Sequence, residues 1–350
     1  MNENTEVSTG HSPNVQGAVM NTPAALASDV PASRWSAVAG TVLLLTAVIG
    51  VLLVAFAWPS VRSSVHDVPI AIAGPPTAVD RVRTALEQRV PGGFEITAVD
   101  DTAAAEKLIG DRRVYGAIDL SSGAPQVIIA SAASTAVAQT LQATTGLGQT
   151  GGTPVAVRDL AALPAHDPRG AGLSAGALPL VMGGLLSAVL LTRLVHGTAQ
   201  RATGAVAFAL TGGLTVAAIL QFWLGSLSGS YPANAGAVGL TIAATSLTVL
   251  GLESLLGYAG IGIGAVLMML IGNPLSGTAT APEMLPGWSG TLGQLLPPGA
   301  GARLLRSTAF FDGRGATHAL FVLATWVTLG AILCLVGGLR SARSTVVSTR

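Results

Sequence analysis

The stretch GLESLLGYAGIGIGAVLMMLIGNPLSG, residues 251–277, decides the fold class because it is 27 residues long and has one charged side chain, Glu253. The Asn273-Pro274 pair predicts a helix end, since the residue before a proline disfavours helical backbone. We interpret the stretch as a hairpin that contains the end of one membrane span, a tight turn and a second span over 259–272. That second span has 14 residues and rises about 21 Å as a helix, against a hydrocarbon core of roughly 30 Å. We expect it to cross with help from the turn residues, and the alternative is a re-entrant segment buried against other helices.

The composition of the whole chain agrees with a membrane protein. Of 350 residues, 50% are hydrophobic and 10% are charged, whereas a soluble domain has about 25% charged residues. The mean hydropathy is +0.61. A net charge of +1 gives no reason to expect a nucleic-acid partner. The single cysteine, Cys334, cannot form an intramolecular disulfide.

Six segments are long and apolar enough, or nearly so, to cross a bilayer, which requires about 20 residues. They are 36–58, 175–195, 204–227, 235–257, 259–272 and 318–339. The first contains an A-x-A sequence, but its apolar run of 23 residues exceeds the roughly 7–15 of a signal peptide, so we predict an uncleaved anchor. Residues 1–33 are polar and aperiodic, and we predict a disordered cytoplasmic tail.

Arginine positions predict the orientation of these spans. With six spans, one side of the membrane receives Arg34, Arg193, Arg201, Arg340, Arg343 and Arg350. We therefore predict a multi-pass protein of the cell (plasma) membrane with both termini, including a tail at 340–350, in the cytoplasm. Arg303, Arg306 and Arg314 fall on the outer side and are exceptions to the rule.

Residues 60–170 differ from the rest because short apolar runs alternate with helical patterns. The predicted order is β-α-β-α-β-β-α, with strands at 68–74, 94–100, 114–120 and 125–131 and helices at 77–90, 101–112 and 134–147. Such alternation is typical of a small α/β domain with a mixed sheet. The predicted fold class is thus an α-helical polytopic membrane protein of six transmembrane helices, with an extracytoplasmic α/β domain inserted between helices 1 and 2.

The last outer loop, 273–317, is not a simple linker. TLGQLL and ARLLRSTAFF within it are apolar enough to lie on or dip into the outer leaflet, and Pro297-Pro298 separates them. We predict that residues 175–339 form a five-helix membrane domain. The loop 273–317 within it caps an outer vestibule.

Catalytic and metal-binding patterns are weak in this chain. GLSAG at 172–176 matches the G-x-S-x-G elbow around Ser174, but a polar linker precedes it where the elbow requires a strand. No histidine pair has metal-ligand spacing, and the single lysine, Lys107 in AAAEKLIG, excludes a Walker A loop. We predict no catalytic residue, no cofactor and no metal site, and hence no enzyme.

Glu253 is the one acid in the apolar stretch, and an intramembrane charge is a functional hypothesis by default. In the predicted topology it lies about one turn from the cytoplasmic end, where it can reach interfacial water or pair with Arg193 or Arg201. The alternative is a substrate, proton or coupling role. Arg193 and Arg201 bracket the short loop LVHGTAQ, which either fixes topology or docks a cytoplasmic partner.

Small residues are dense in the spans and allow close helix approach. Packing inside the helix bundle is the preferred interpretation, and a dimer interface is the alternative. The candidate packing glycines are Gly183, Gly184, Gly212, Gly213, Gly260 and Gly264.

The plan of one span, an outer α/β domain and five further spans resembles the permease subunits of type-2 ABC exporters, and most closely the phage-infection-protein branch found in actinobacterial membranes. VPIAIAG, FEITAVDDTAAAEKLIGDRRVYGAIDL, LPLVMGG, IGNPLSG and LPPGAGARLLRSTAFFDG carry the likeness over roughly 34–340. The sequence departs from the family at Asp119 and Ser121, where an apolar residue and a proline are usual.

The resemblance implies a function and partners. Six-span subunits of that family pair as homo- or heterodimers in the lipid membrane, and separate cytoplasmic ATPases dock on a short inner loop. By resemblance, 193–203 is the candidate coupling loop, with Arg193, His196 and Arg201. The expected function is export of a lipid, drug or cell-envelope compound. The alternative is a non-transporting membrane scaffold whose outer domain binds a cell-wall or secretion partner.

Overall fold

The computed structural model describes residues 33–121, 123–146 and 155–348. The predicted tail at 1–33 lies outside this part of the chain, except for its last residue. The long apolar helices are α1 (Trp35–Val61), α5 (Ala171–Leu194), α6 (Thr198–Ala218, continued by a π-helix at Ile219–Trp223), α7 (Tyr231–Leu256) and α11 (Thr317–Ser348). Because α11 continues to Ser348, most of the predicted tail at 340–350 is helical.

Within the described residues, these five helices are long and apolar enough to cross a membrane. The segment predicted as span five is shorter. It consists of α8 (Tyr258–Ala265) and a π-helix at Val266–Gly272, and its 15 residues rise only about 22 Å at an α-helical pitch. The apolar helices support a membrane-embedded protein, in which the five long helices are the candidates for insertion.

Helix α7 is the central helix of the bundle. In its most apolar window 72% of the residues are buried, against 28% in the windows of α5, α6 and α11. It packs against α5, α6, α8, α11 and a shorter helix, α10 (Pro297–Phe310). The helix is rich in Ala, Gly, Ser and Thr, and such small side chains allow backbones to approach closely.

The candidate packing glycines differ in their surroundings. A Cβ added to Gly184 would lie 2.8 Å from Thr245 of α7, and one added to Gly213 would lie 2.6 Å from the carbonyl oxygen of Ala235. Gly212 faces Ile242 of α7, Gly260 faces the Leu252 carbonyl, and Gly264 faces Val249. Gly183 has open space around it, so the structure gives it no packing role.

Residues 66–161 form the α/β part, whose predicted strands and helices are confirmed. The strands are β1 (Val68–Ala73), β2 (Phe94–Val99), β3 (Gly116–Asp119), β4 (Gln126–Ile129) and β5 (Ala156–Asp159), and the helices are α2 (Pro76–Arg89), α3 (Thr102–Gly110) and α4 (Thr135–Gly146). The sheet order is β2-β1-β3-β4-β5, and all neighbours are parallel except β3 and β4. Strand β5 adds a fifth strand to the four that the sequence predicts.

The segment 273–316 connects the α/β part to the bundle. It contains 3₁₀ turns at Pro274–Ser276 and Pro282–Met284, then α9 (Ser289–Gln294) and α10. Leu304 and Leu305 of α10 belong to the core shared by α5, α6, α7 and α11. Protein therefore buries this face of α10, whereas Leu295 of TLGQLL is 47% exposed, and contact of TLGQLL with the outer leaflet stays a prediction.

Candidate functional site

The first polar cluster lies at the end of the bundle where α5 turns into α6. Arg201 of α6 forms an ion pair with Glu253 of α7, with Nη1 3.2 Å from Oε2 and 3.3 Å from Oε1. The same guanidinium donates through Nε to the carbonyl oxygen of Val195 at 2.8 Å and through Nη2 to that of Thr192 at 2.9 Å. One side chain thus joins the end of α5 to α7, and Arg201 rather than Arg193 is the partner of Glu253.

The pairing of Arg201 with Glu253 follows from the burial of both side chains beside apolar helices. The side chains of Arg201 and Glu253 are 23% and 14% exposed, and a partly buried carboxylate without a cation is costly. Planar guanidinium groups can serve a carboxylate and two carbonyls at once, whereas an ammonium cannot do so in one plane. The pair therefore satisfies the last carbonyls of α5, which a helix end leaves open.

The turn between α5 and α6 comprises residues 195–197, and Gly197 has φ 90°, a backbone conformation that favours glycine. Arg193 and His196 are exposed there. The predicted coupling loop thus has two parts: Arg201 fixes the turn to α7, and Arg193 and His196 are available to a partner.

Ser174 lies in the first turn of α5, after a loop rather than a strand. It lines a cavity with Ser60, Ser63 and Thr278, and within the described part of the chain that lining contains no histidine. Asp167 accepts from the backbone N–H groups of Ala171 and Gly172 at 2.7 and 2.8 Å, so it caps α5. Burial raises the pKa of Asp167, but these hydrogen bonds outweigh it and the pKa is lowered.

The second polar cluster lies at the opposite end of α7, where α10 meets the α/β part. Three guanidinium groups, those of Arg112, Arg303 and Arg306, line one small cavity together with Tyr115 and Gln294. Nη1 of Arg112 donates to the carbonyl oxygen of Arg303 at 2.9 Å and to the hydroxyl of Ser307 at 2.6 Å. Arg306 donates to the carbonyl oxygen of Thr278.

The backbone of Arg112 has φ 57°, in the left-handed region. The N–H of Arg113 donates to the Leu108 carbonyl at 2.9 Å and that of Arg112 to the Ile109 carbonyl at 3.0 Å. This pair of bonds is a Schellman motif at the end of α3, in which the left-handed position is usually glycine. An arginine there accepts a backbone strain of about 1 kcal/mol and places its side chain against α10, where it also lies 5.1 Å from the centre of the Phe311 ring.

Glu283 is the acid of this cluster. It accepts a hydrogen bond from the Tyr115 hydroxyl at 2.7 Å, and burial together with Glu283 raises the pKa of Tyr115 well above its usual range. Burial lowers the pKa of Arg112 to about 10 and also lowers the pKa of Arg306. A pKa of about 10 is still well above 7, so Arg112 remains cationic at neutral pH.

Sequence reasoning missed the second cluster. Arg303 and Arg306 were noted only as exceptions to the positive-inside rule, although that exception was itself the signal: arginines on the outer side need a local partner or role. Across the described residues, no three His, Cys, Asp or Glu side chains form a group that could hold a metal ion.

No protein-family model matches the chain, and no curated protein or solved structure shows significant similarity to it.

Proposed function

We propose that this chain is the membrane-spanning permease subunit of an ABC-type exporter, driven by a separate cytoplasmic ATPase and moving a lipid, drug or cell-envelope compound. The chain itself performs no catalysis in this proposal. It lies in the plasma membrane with the α5–α6 turn and both termini in the cytoplasm, and the α/β part outside. It pairs with a second copy or a related subunit.

The observation that supports this proposal is the attachment of the exposed α5–α6 turn to α7 through Arg201 and Glu253. A docking loop transmits force only if it is tied to the elements that must move. Here the turn is tied to the most buried helix of the bundle. A rearrangement of α7 relative to its neighbours is the kind of shear or rocking motion that serves alternating access.

Affinity purification from native membranes in a mild detergent, followed by mass spectrometry, tests the ATPase partner. We expect stoichiometric recovery of a Walker-A ATPase with the wild-type chain, and loss of that recovery with the double variant Arg193→Ala and His196→Ala. The matched control is Arg113→Ala, which removes an exposed arginine from the α/β part and leaves recovery unchanged. Reproducible recovery of wall or secretion proteins without any ATPase would contradict the proposal and favour the scaffold.

The proposal also requires six crossings, so that the chain from α8 to Gly272 passes from one side to the other. Single cysteines introduced as Tyr258→Cys and Ala279→Cys, in a Cys334→Ala background, are suitable reporters because both positions are exposed. We expect a membrane-impermeant maleimide to label them from opposite sides of the membrane. Labelling of both from one side would establish the re-entrant alternative.

A further inference from the structure

Within the described part of the chain, the three positive charges of Arg112, Arg303 and Arg306 are opposed by one nearby acid, Glu283, which accepts a hydrogen bond from Tyr115 and acts electrostatically on Arg112. The groups that accept from Arg112 and Arg306 are carbonyl oxygens and a hydroxyl. No carboxylate among the described residues lies within ion-pair distance of the three guanidinium groups. Three like charges that face one cavity repel each other, and this arrangement is stabilised when an anion joins them.

Two buried polar atoms of the cluster have no hydrogen-bond partner among the residues that the structure describes. They are Nε of Arg303, a donor, and Oε1 of Gln294, an acceptor. The amide nitrogen of Gln294 is held by the carbonyl oxygen of Ser276 at 2.9 Å, so Oε1 is fixed in direction. A buried polar atom without a partner is unfavourable, and two such atoms beside one cavity are positioned to bind a group that both accepts and donates hydrogen bonds.

Arg303 and Gln294 also line a larger cavity of about 540 Å³. Its other ionisable side chains are His66, Asp67, Glu283 and His318, so two acids and two imidazoles line this cavity together with Arg303. Leu295 lines the same cavity and is 47% exposed. A ligand held at Arg303 can therefore extend from the charged cluster along an apolar neighbour.

These requirements define a ligand that has an anionic acceptor group and a hydroxyl donor. Phosphate matches guanidinium geometry through paired N–H donors, and the hydroxyl of a phosphate monoester or of a glycerol headgroup can donate to Gln294. We propose that Arg303 and Gln294, in the larger cavity and beside the charges of Arg112 and Arg306, form a binding site for a hydroxyl-bearing organophosphate group. The inference rests on the proposed function, for which it names the substrate class as a phosphorylated amphiphile.

Equilibrium binding to the purified full chain in a neutral detergent tests the site. The probes are inorganic phosphate, glycerol 3-phosphate and dioctanoyl-phosphatidylglycerol, with dioctanoyl-phosphatidylcholine as the zwitterionic comparison, all at one ionic strength. We expect saturable binding of at least one of the first three, and at least tenfold weaker binding by Arg303→Gln. The matched control is Arg113→Gln, an exposed neighbour of Arg112, which should bind within twofold of wild type.

The arms separate the sources of the phosphate. Binding of the two soluble probes alone supports the site with a free phosphate ester as ligand, and stronger binding of phosphatidylglycerol supports a lipid headgroup. No saturable binding of any of the three, or equal weakening in Arg113→Gln, overturns the proposal. If Arg303→Gln unfolds, Arg303→Lys keeps the charge but removes the planar donors, and wild-type affinity in that folded variant also overturns it. The measurement uses the chain alone, so its result is independent of ATPase recovery.

Discussion

At the scale of single residues, Asp119 shows how a buried carboxylate is retained without a cation. It is fully buried at the end of β3 and accepts from the hydroxyls of Thr102 and Ser121 at 2.6 Å and from the Gln126 amide at 2.8 Å. Burial raises its pKa, but these hydrogen bonds outweigh burial and lower the pKa to about 2. The charge is thus held by dipoles of neighbouring side chains rather than by an ion pair.

Replacement of this acid tests the arrangement. We expect Asp119→Asn to lower the free energy of unfolding by about 2 kcal/mol, because the new amide NH₂ is a donor and meets the donors that now bind the carboxylate. The melting temperature should fall by several degrees. Since the folded pKa is below the unfolded one, the stabilisation is complete above about pH 4 and is lost as the pH falls toward about 2. Thermal unfolding between pH 7 and 2 measures the loss of stability in acid. We expect this loss to be smaller in Asp119→Asn than in wild type, and unchanged in the exposed Glu95→Gln.

Arg112 permits a second test at this scale, because its backbone and side chain have opposing effects. Arg112→Ala and Arg112→Gly both lose the bonds to α10, but only glycine relieves the left-handed backbone. We expect both variants to be less stable than wild type and the glycine variant to be about 1 kcal/mol more stable than the alanine variant. Melting temperatures in one detergent measure the difference. A more stable alanine variant would show that the α3 terminus rearranges instead.

Single residues also show where sequence reasoning stopped. The pairing of Glu253 with Arg201 was one of two arginine pairings that the sequence left open, because it shows that both arginines are near one helix end but not which guanidinium reaches α7. Arg303 and Arg306 could not be placed at all. Their neighbours Arg112 and Tyr115 lie about 190 residues away along the chain, and local periodicity contains no information about such contacts.

At the scale of elements, hydropathy predicted the long helices well because the signal is local and strong over some 20 residues. The α/β elements followed from alternation and helical spacing in the same way. The sequence predicts that α9 and α10 lie at a membrane surface, because an apolar run does not indicate whether lipid or protein covers it. Strand β5 has the sequence AVRD, with exposed and half-buried side chains, so it lacks the apolar pattern that predicts a strand.

Helix α7 carries Glu253 of the first polar cluster, and helix α10 carries Arg303 and Arg306 of the second. The two helices contact each other directly. A Cβ added to Gly301 of α10 would overlap the side chain of Thr241 of α7. We expect Gly301→Ala to cost about 1–3 kcal/mol through overpacking, and the added change Thr241→Ala to recover much of this loss, with a coupling above about 0.5 kcal/mol.

Thermal unfolding of the single and double variants measures that coupling. Gly236→Ala of α7 is the matched control, because a Cβ there meets nothing within 4 Å and alanine favours helix by about 0.5–1 kcal/mol. Strict additivity of the two changes would contradict direct packing between Gly301 and Thr241.

At the scale of the whole molecule, the α/β part and the helical part share cores. Ala281 and Met284, from the segment before α9, lie in the core formed by β1, α2 and α4. Phe311, at the end of α10, lies in the core on the other side of the sheet, with Ile109 and Ile128. Ser134 also donates to the carbonyl oxygen of Thr280 at 2.8 Å. The two parts are distinct in sequence pattern but not independent in packing, which no linear pattern could reveal.

This shared packing predicts that a change at the junction destabilises both parts together. Phe311 is 2% exposed, and Phe311→Ala should cost about 3–5 kcal/mol. The same substitution at Phe321, a residue of α11 that is 73% exposed, should cost little, since substitutions at exposed positions stay within about 0.5 kcal/mol.

Limited proteolysis and thermal unfolding in one detergent compare the two variants. If α10 connects the two parts through packing, Phe311→Ala should expose cleavage sites in the α/β part and in 273–316 at the same protease concentration. Cleavage confined to the α/β part, with 273–316 still protected, would show that α10 holds to the helices alone and that the sheet is an independent module.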